Sequence, residues 1–174
     1  MSTSGFNIQV THTPRVRLAS VADAPVITTI INDAFRHAES FFVERDRIGV
    51  EEVLKLLGVG KFLLAESEGV VFGCVYVEPR GVAGHDGPYR AYLGLLAVDP
   101  MHQQAGLGSK LMDAAEDYGR GLGCHFMDIR VVNLRAELPD YYLRRGYVET
   151  GSSPFPVDIE TKLPCHFIEM SKEL

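Results

Sequence analysis

The chain has 174 residues, of which 46% are hydrophobic and 23% charged, a composition typical of a single globular domain with a substantial core. It contains no apolar run near the ~18 residues needed to cross a bilayer, so we expect no membrane span. The formal net charge of -6 disfavours a nucleic-acid partner and makes a cationic small molecule or a basic peptide easier to accommodate.

The N-terminal residues and the cysteines indicate the cellular compartment and whether a metal site is expected. Residues 1–13 are polar, and we expect a flexible tail there, followed by one domain over residues 14–174. The tail lacks the basic start and the continuous apolar stretch of a secretory signal, so we expect a cytoplasmic protein. Cys74, Cys124 and Cys165 have no metal-ligand spacing, and no histidine has a second ligand at such a spacing, so we expect no metal site.

The first half of the domain predicts a strand, two helices and two strands of a hairpin. Their ranges, in chain order, are 15–18, 21–35, 50–57, 61–66 and 70–78. Ser20 followed by Asp23 is typical of a capped helix start, and Gly58 of a helix end. Pro79 indicates the end of the second hairpin strand, because proline cannot donate to a sheet ladder.

The second half predicts an alternation of strands and helices. A strand over residues 89–98 is followed by an amphipathic helix that starts near Leu107 and closes at Gly121 or Gly123. Residues 126–132 alternate as a strand, and a short helix follows with Pro139 in its first turn and Gly146 after its last. Two final strands are predicted over 147–150 and 167–171. The whole order indicates an α/β fold with one central sheet.

The segment from Gln103 to Gly108 joins a predicted strand to the strongest amphipathic helix and reads Gln-x-x-Gly-x-Gly. The first N–H groups of a helix have no internal partner, and the helix dipole favours an anion at that end. Gly106 and Gly108 let the backbone approach phosphates closely, and Gln103 adds a neutral donor. The pattern therefore fits a pyrophosphate site. A flexible glycine-containing turn that only connects strand and helix would have the same pattern.

Two other phosphate-binding loops do not fit this segment. A Rossmann loop needs Gly-x-Gly-x-x-Gly followed by an acidic residue at a strand end, and here the glycine spacing is reversed. A Walker loop needs Gly-Lys-Ser/Thr after four spacers, whereas Gly108-Ser109-Lys110 inverts the last two residues. Neither alternative is retained.

The surroundings of the loop resemble the GCN5-related N-acetyltransferase (GNAT) family. Residues 92–111 read Tyr-Leu-Gly-Leu-Leu-Ala-Val-Asp-Pro-Met-His-Gln-Gln-Ala-Gly-Leu-Gly-Ser-Lys-Leu, similar to that family's central strand, Val-x-Pro exit, loop and cofactor helix. Residues 142–147 resemble its Tyr-x-x-x-Gly-Phe/Tyr element, and the element order agrees over roughly residues 15–171. The resemblance implies a mixed, mostly antiparallel sheet flanked by helices, and transfer of an acetyl group from acetyl-CoA to an amine without a metal.

The resemblance also implies where the cofactor binds. The main chain of Leu96, Ala97 and Val98 is implied to bind the pantetheine arm and the thioester by strand addition, with one amide stabilising the oxyanion. Asn133 is implied to steady the cofactor, although a solvent-facing turn asparagine would look the same. The pyrophosphate is implied to bind at Gln103, Gln104, Ala105, Gly106, Leu107, Gly108 and Ser109.

The catalytic groups are less evident. The resemblance implies that Tyr142 is the general acid for the leaving thiolate, although a packing tyrosine beside its neighbours would have the same pattern. The interval from Asn133 to Tyr142 is about two residues longer than is usual in the family, so Tyr141 is an alternative. The predicted strand 89–98 contains no Glu, Asp or His to serve as a base. Glu78, His85 or a water relay remain candidates for that role.

The amine acceptor cannot be identified from the sequence. Residues 37–47, 80–88 and 151–165 are expected to shape its site, and they carry both acidic and basic side chains. Phe41 and Phe42 fit either a mobile flap over a ligand or an irregular connection that buries both rings. We expect a small-molecule or peptide amine. The second hypothesis is an acyl-CoA-binding module that regulates or scaffolds without turnover, and a homodimer is left open.

Overall fold

The computed structural model of the protein describes residues 13–82, 84–103 and 106–174, so the predicted tail lies outside it except for Thr13. Its strands are β1 Arg15–Leu18, β2 Lys61–Ser67, β3 Val70–Gly81, β4 Pro88–Val98, β5 Phe126–Val132, β6 Val148–Pro154 and β7 His166–Glu173. Its α-helices are α1 Ala24–Glu39, α2 Val50–Val59, α3 Leu107–Gly121 and α4 Glu137–Arg144. A 3-10 turn, Val21–Asp23, leads into α1. None of these helices is long and apolar enough to cross a membrane.

The strands form one sheet in the order β1-β2-β3-β4-β5-β7-β6. Every neighbouring pair is antiparallel except β4 with β5, which is parallel. The expected mixed, mostly antiparallel sheet flanked by helices is therefore confirmed.

The parallel pair is unusually short. It joins only Arg90, Ala91 and Tyr92 of β4 to residues 126–128 of β5, although β4 continues to Val98 and β5 to Val132. Beyond Tyr92 the two strands separate, and no described strand fills the gap between them. A cleft therefore opens in the middle of the sheet.

Helices cover both faces of the sheet, because β2 alternates its side chains between two apolar clusters. Leu63 and Ala65 belong to a cluster with α3 and α4, whereas Phe62 and Leu64 belong to one with α1 and α2. Each fully buried leucine or phenylalanine side chain contributes about 2 kcal/mol by its burial. The described helices thus form one layer on each face.

Several predicted boundaries were wrong, including those of the last two strands, which were predicted over 147–150 and 167–171 and are Val148–Pro154 and His166–Glu173. Helix α1 continues beyond residue 35 to Glu39, and α2 passes through Gly58 to end before Gly60. A Cβ at Gly60 would clash with the Val77 carbonyl oxygen, so close packing against β3 requires this glycine. Strand β3 passes through Pro79, which lies beyond the last β2–β3 pair, Lys61 with Val77, so its missing N–H disrupts no pairing with β2.

Helix α3 carries a buried carboxylate, Glu116, whose residue is only 3% exposed. The Tyr147 hydroxyl donates to it at 3.1 Å and the Lys172 ammonium at 2.6 Å. The Arg145 guanidinium lies 3.7 Å from it. These contacts tie α3 to the end of α4 and to β7, and they compensate the buried charge on several sides.

Candidate active site

The cleft between β4 and β5 encloses about 580 Å³. Its lining residues come from elements on both faces of the sheet. The end beside α3 and α4, here called the α3 mouth, is lined by Gln103, Gly106, Gly108, Ser109, Tyr141 and Tyr142. The end beside the last turn of α1, here called the α1 mouth, is lined by Phe35, Glu39, Arg47, Arg135, Phe155 and Phe167.

A backbone irregularity in β4 faces this cleft. The pairing of β3 with β4 slips between Cys74 with Ala97 and Tyr76 with Gly94, which is a β-bulge. Within it Leu95 has a φ of 51°, a left-handed conformation that costs a residue other than glycine on the order of 1 kcal/mol. Bulges beside active sites redirect the main chain. No sequence signal marks this one, because Leu95 is neither glycine nor asparagine.

The predicted cofactor strand lies directly after the bulge. Leu96 and Val98 line the cleft, whereas the Ala97 side chain is buried in the cluster with α1 and α2. Because β5 pairs with β4 only as far as Tyr92, this edge of β4 has no described strand partner. Its main-chain groups are therefore available to an extended ligand.

The predicted pyrophosphate loop lies at the α3 mouth. Gly106 precedes α3 with a φ of 72°, which glycine adopts without strain. Gly108 opens onto space, since a Cβ there would meet no atom within 4 Å among the described residues beyond its own turn of helix. Leu107 packs in the core, and the Gln103 side-chain amide donates to the Val98 carbonyl at 3.4 Å. Gln104 and Ala105 lie outside the described residues, so their predicted role stays a prediction.

Asn133 has a structural partner. Its side-chain oxygen accepts a hydrogen bond from the His166 N–H at 2.8 Å, and its own N–H donates to the His166 carbonyl at 3.0 Å. This exchange joins the turn after β5 to the start of β7. The side chain does not line the cleft, and its predicted cofactor role remains a prediction.

Two tyrosines of α4 reach the α3 mouth. Tyr142 is 8% exposed, packs edge-on against Tyr147 at 5.6 Å between ring centroids, and its hydroxyl bonds to no described residue. Burial raises the pKa of Tyr142 to about 12, so it stays protonated at neutral pH. Tyr141 is less buried, and its hydroxyl lies 3.4 Å from the Ser109 hydroxyl at the start of α3. Both remain candidates for the predicted acid.

The predicted bases do not line the cleft, although Glu78 pairs across β3 and β4 with Tyr92, which does. Glu78 accepts hydrogen bonds from the Tyr76 hydroxyl at 3.1 Å and from Arg80 Nε at 3.2 Å. His85 stacks on Tyr89 with 4.0 Å between the ring centroids. Neither residue is part of the cleft lining.

The carboxylate that does line the cleft is Glu39, the last residue of α1. Burial raises the pKa of Glu39, and the positive charges of Arg47 and Arg135 oppose that shift only partly. Sequence reasoning missed Glu39 because a glutamate at a helix end resembles any surface residue. Only the fold brings it to the cleft.

Arginines dominate the charge of the α1 mouth. Arg135 lies 3.9 Å from Glu39, and the Arg47 guanidinium lies 5.3 Å from the centre of the Phe35 ring. Arg130 of β5 also lines the cleft. Three arginines thus face one glutamate, which is the opposite sign to the net charge of the whole chain. The expectation of a cationic acceptor therefore stays a prediction, with Glu39 as the carboxylate of this mouth that could contact it.

Of the two phenylalanines after α1, only one is buried. Phe42 is fully buried and packs against Phe155 at 6.4 Å between ring centroids, whereas Phe41 is 49% exposed. The segment is therefore anchored at Phe42, and only one of the two rings is buried. Within the described parts of the chain, no group of three or more Asp, Glu, His or Cys side chains is arranged to hold a metal ion.

Comparison with known proteins agrees with this geometry. Residues 27–147 match the profile described as the acetyltransferase (GNAT) family. An L-methionine sulfoximine/L-methionine sulfone acetyltransferase from Salmonella typhimurium is 30% identical over 144 residues, which cover 80% of this chain and 82% of the relative. The chain therefore belongs to the GNAT family of acetyltransferases.

Two further relatives extend the comparison. An amino-acid acetyltransferase from Ralstonia nicotianae is 26% identical over 158 residues, and the match covers 88% of this chain but only 31% of that longer protein. A Salmonella typhimurium acetyltransferase structure that contains its cofactor acetyl-CoA superposes with a TM-score of 0.71 at 27% identity. That superposition covers 94% of this chain and 95% of the other.

Proposed function

We propose that this acetyltransferase moves the acetyl group of acetyl-CoA to the primary amine of a small molecule or peptide by direct attack. The observation that carries the proposal is the cleft that crosses the sheet between β4 and β5. It connects a helix N-terminus suited to phosphate on one face with a charged, aromatic mouth on the other. Two relatives are named for the acetylation of amino acids or their analogues, which supports a small-molecule amine.

In this proposal acetyl-CoA enters from the α3 mouth. Its pyrophosphate lies against the first turn of α3, where Gly108 leaves space and the N–H groups lack helical partners. Its pantetheine arm extends along the unpaired edge of β4 at Leu96, Ala97 and Val98. An amide of this stretch stabilises the oxyanion, a contribution of about 3 kcal/mol per donor in other acyl-transfer enzymes. Gln103 and Ser109 supply side-chain donors at the same mouth.

The acceptor amine enters from the α1 mouth and attacks the thioester carbon. Attack requires a neutral amine, so a base has to remove its proton. Glu39 suits this role, directly or through water, because burial raises its pKa towards the neutral range where a base is most effective. As the carbon–sulfur bond breaks, Tyr142 donates its proton to the leaving thiolate. Tyr141 is the alternative donor, since its hydroxyl also lies at the α3 mouth.

The test combines cofactor binding with turnover. Calorimetry measures CoA affinity, and thiol release from acetyl-CoA is followed with a panel of primary amines. Binding together with amine-dependent thiol release would support the proposal. Tight binding without release for any amine would overturn it in favour of the acyl-CoA-binding module. No binding of CoA would contradict both.

A further inference from the structure

The charges of the α1 mouth indicate the chemical class of the acceptor. We propose that the acceptor carries a carboxylate next to its amine, as an α-amino acid does, and that Arg47 binds this carboxylate. The inference rests on the proposed function, because it describes the second substrate of that reaction. It goes further because it names an anion site that differs from the phosphate site at α3.

Arg47 differs from the other arginines of the cleft in forming no ion pair within 4 Å with a described residue, although the charge of Glu39 lies close enough to interact with it. Arg130 lies 3.3 Å from Glu169, and Arg135 donates to Glu137 at 2.6 Å. Arg47 forms no hydrogen bond or ion pair within 4 Å among residues 13–82, 84–103 and 106–174, and its Nε is shielded from solvent without a partner. A buried donor without a partner destabilises the unliganded protein, and an acceptor oxygen of a ligand would satisfy it.

The acidic residues nearest in sequence are already paired. Asp46 accepts from Arg36 at 2.5 Å, and Glu44 accepts from Lys162 at 2.5 Å. Glu39 is the remaining carboxylate beside Arg47 in the cleft lining, and it is shared with Arg135. A carboxylate from a ligand would satisfy the N–H donors of the Arg47 guanidinium through the two parallel hydrogen bonds that arginine prefers.

The same pocket offers the opposite charge next to Arg47. Glu39 can accept the acceptor's ammonium before deprotonation, while Arg47 binds the carboxylate, so an amine and a carboxylate on adjacent carbons match this pair. A polyamine would instead place a second positive charge among Arg47, Arg130 and Arg135. Such an arrangement is unfavourable in a partly desolvated cleft.

An aromatic wall completes the site. The rings of Phe155 and Phe167 lie 5.0 Å apart, and Phe35 faces the Arg47 guanidinium. Apolar side chains gain about 25 cal/mol for each Å² that they bury on such a surface. We therefore expect amino acids with apolar side chains to be better acceptors than charged ones.

The sharpest test removes the charge of the acceptor and keeps its shape. Thiol release from acetyl-CoA is measured with L-leucine, L-phenylalanine and L-lysine and with their carboxamides, and cadaverine represents the polyamines. The amine of an amino-acid amide is a weaker base than that of the acid, so more of it is neutral at the assay pH. Chemical reactivity alone therefore favours the amide. A preference for the acid of about tenfold or more in kcat/KM would come from the protein.

Variants locate the preference. Arg47→Gln should reduce the acid-to-amide ratio of kcat/KM by about tenfold or more, mainly through the KM for the acid, and Arg47→Lys should restore part of it. Arg120→Gln is the control, because this half-exposed arginine lies in the last turn of α3, outside the cleft lining, and it should keep the wild-type ratio. The KM for acetyl-CoA should be similar in all of these proteins.

The outcomes separate this inference from the proposed function. Turnover of the amides or of cadaverine with equal or higher efficiency would overturn the carboxylate site while supporting the transfer reaction. An unchanged acid-to-amide ratio in Arg47→Gln would overturn the role of Arg47. If no amine is turned over, the proposed function fails, and thermal shift then compares N-acetyl-L-phenylalanine with its amide as ligands. Stabilisation by the acid that is lost in Arg47→Gln would retain the anion site, and its absence would overturn that as well.

Discussion

Two carboxylates on opposite faces of the sheet, one buried and one partly buried, have very different surroundings. Glu116 on α3 is contacted by Tyr147, Lys172 and Arg145, so its charge is compensated within the fold. Glu39 on α1 has Arg135 at 3.9 Å and the nearby charge of Arg47, which forms no ion pair with it within 4 Å, and burial raises its pKa. A closed network stabilises a fold, whereas an incompletely paired cluster in a cleft is suited to a ligand.

The closed network should give the largest effect on stability. Glu116→Gln leaves Lys172 and Arg145 without their buried counter-charge, and we expect a loss of about 3 kcal/mol or more in the free energy of unfolding. Urea denaturation measures this loss. Asp117→Asn is the control, because that neighbour is 76% exposed, and its change should stay within ~0.5 kcal/mol. Equal effects in the two variants would show that the network is not a principal source of stability.

A substitution at the α3 mouth should have the opposite effect to Glu116→Gln, because it should reduce CoA binding and leave the stability of the fold unchanged. Gly108→Val places a side chain where the described residues beyond its own turn of helix leave space, so the melting temperature should not fall. CoA affinity measured by calorimetry should drop at least ~100-fold, or ~2.7 kcal/mol. Gly121→Val adds the same side chain to open space at the other end of α3 and should bind normally. Unchanged affinity in Gly108→Val would contradict the placement of the pyrophosphate.

Tyr142 and Tyr147, whose rings are in contact, show the same contrast between a functional and a structural residue. Tyr142→Phe should lower kcat by ~30-fold with little change in the KM for acetyl-CoA, a modest factor because a pKa of about 12 makes Tyr142 a weak acid. Tyr147→Phe should instead cost about 1 kcal/mol of stability through its lost bond to Glu116 and leave kcat nearly unchanged. If Tyr142→Phe has no effect and Tyr141→Phe lowers kcat, the acid is Tyr141.

Substitution of Glu39 should give the smallest loss of activity, and its effect on stability should depend on pH. Glu39→Gln should lower kcat/KM about tenfold, since water can partly replace the base. The pKa of Glu39 is raised in the fold, so its contribution to stability is present at acidic pH and is lost as the pH rises through that pKa.

Thermal unfolding at several pH values tests this sign. Glu39→Gln should be as stable as the wild type or more stable at pH values near and above neutrality, and this relative gain should disappear in acid. Glu44→Gln, in the same region but 74% exposed, should show no such trend. A Glu39→Gln variant that is strongly destabilised at neutral pH would mean that Glu39 is a structural residue like Glu116.

The fold was predictable to the extent that local signals determine it. Strand β5 was predicted with both of its ends, because residues 126–132 alternate strictly, and the glycines of residues 106 and 108 marked the start of α3. The resemblance to the GNAT family supplied the sheet type, which local periodicity alone does not determine.

The acceptor half of the site could not be predicted in this way. Glu39, Arg47 and Arg135 come from three separate segments, and only long-range packing brings them to one opening. The bulge at Leu95 carries no residue that favours its backbone conformation, so tertiary contacts impose it. Pro79 misled the prediction because its effect depends on where β2 ends.

The α1 mouth takes its lining from connecting segments as well as from regular elements. Arg47 follows α1, Arg135 lies between β5 and α4, and Phe155 lies between β6 and β7, whereas the α3 mouth is built largely on α3, α4 and β4. Loops tolerate substitution and changes of length better than the sheet and helices they connect. We expect evolution, or an engineer, to exchange one acceptor for another by altering these loops while the acetyl donor stays the same.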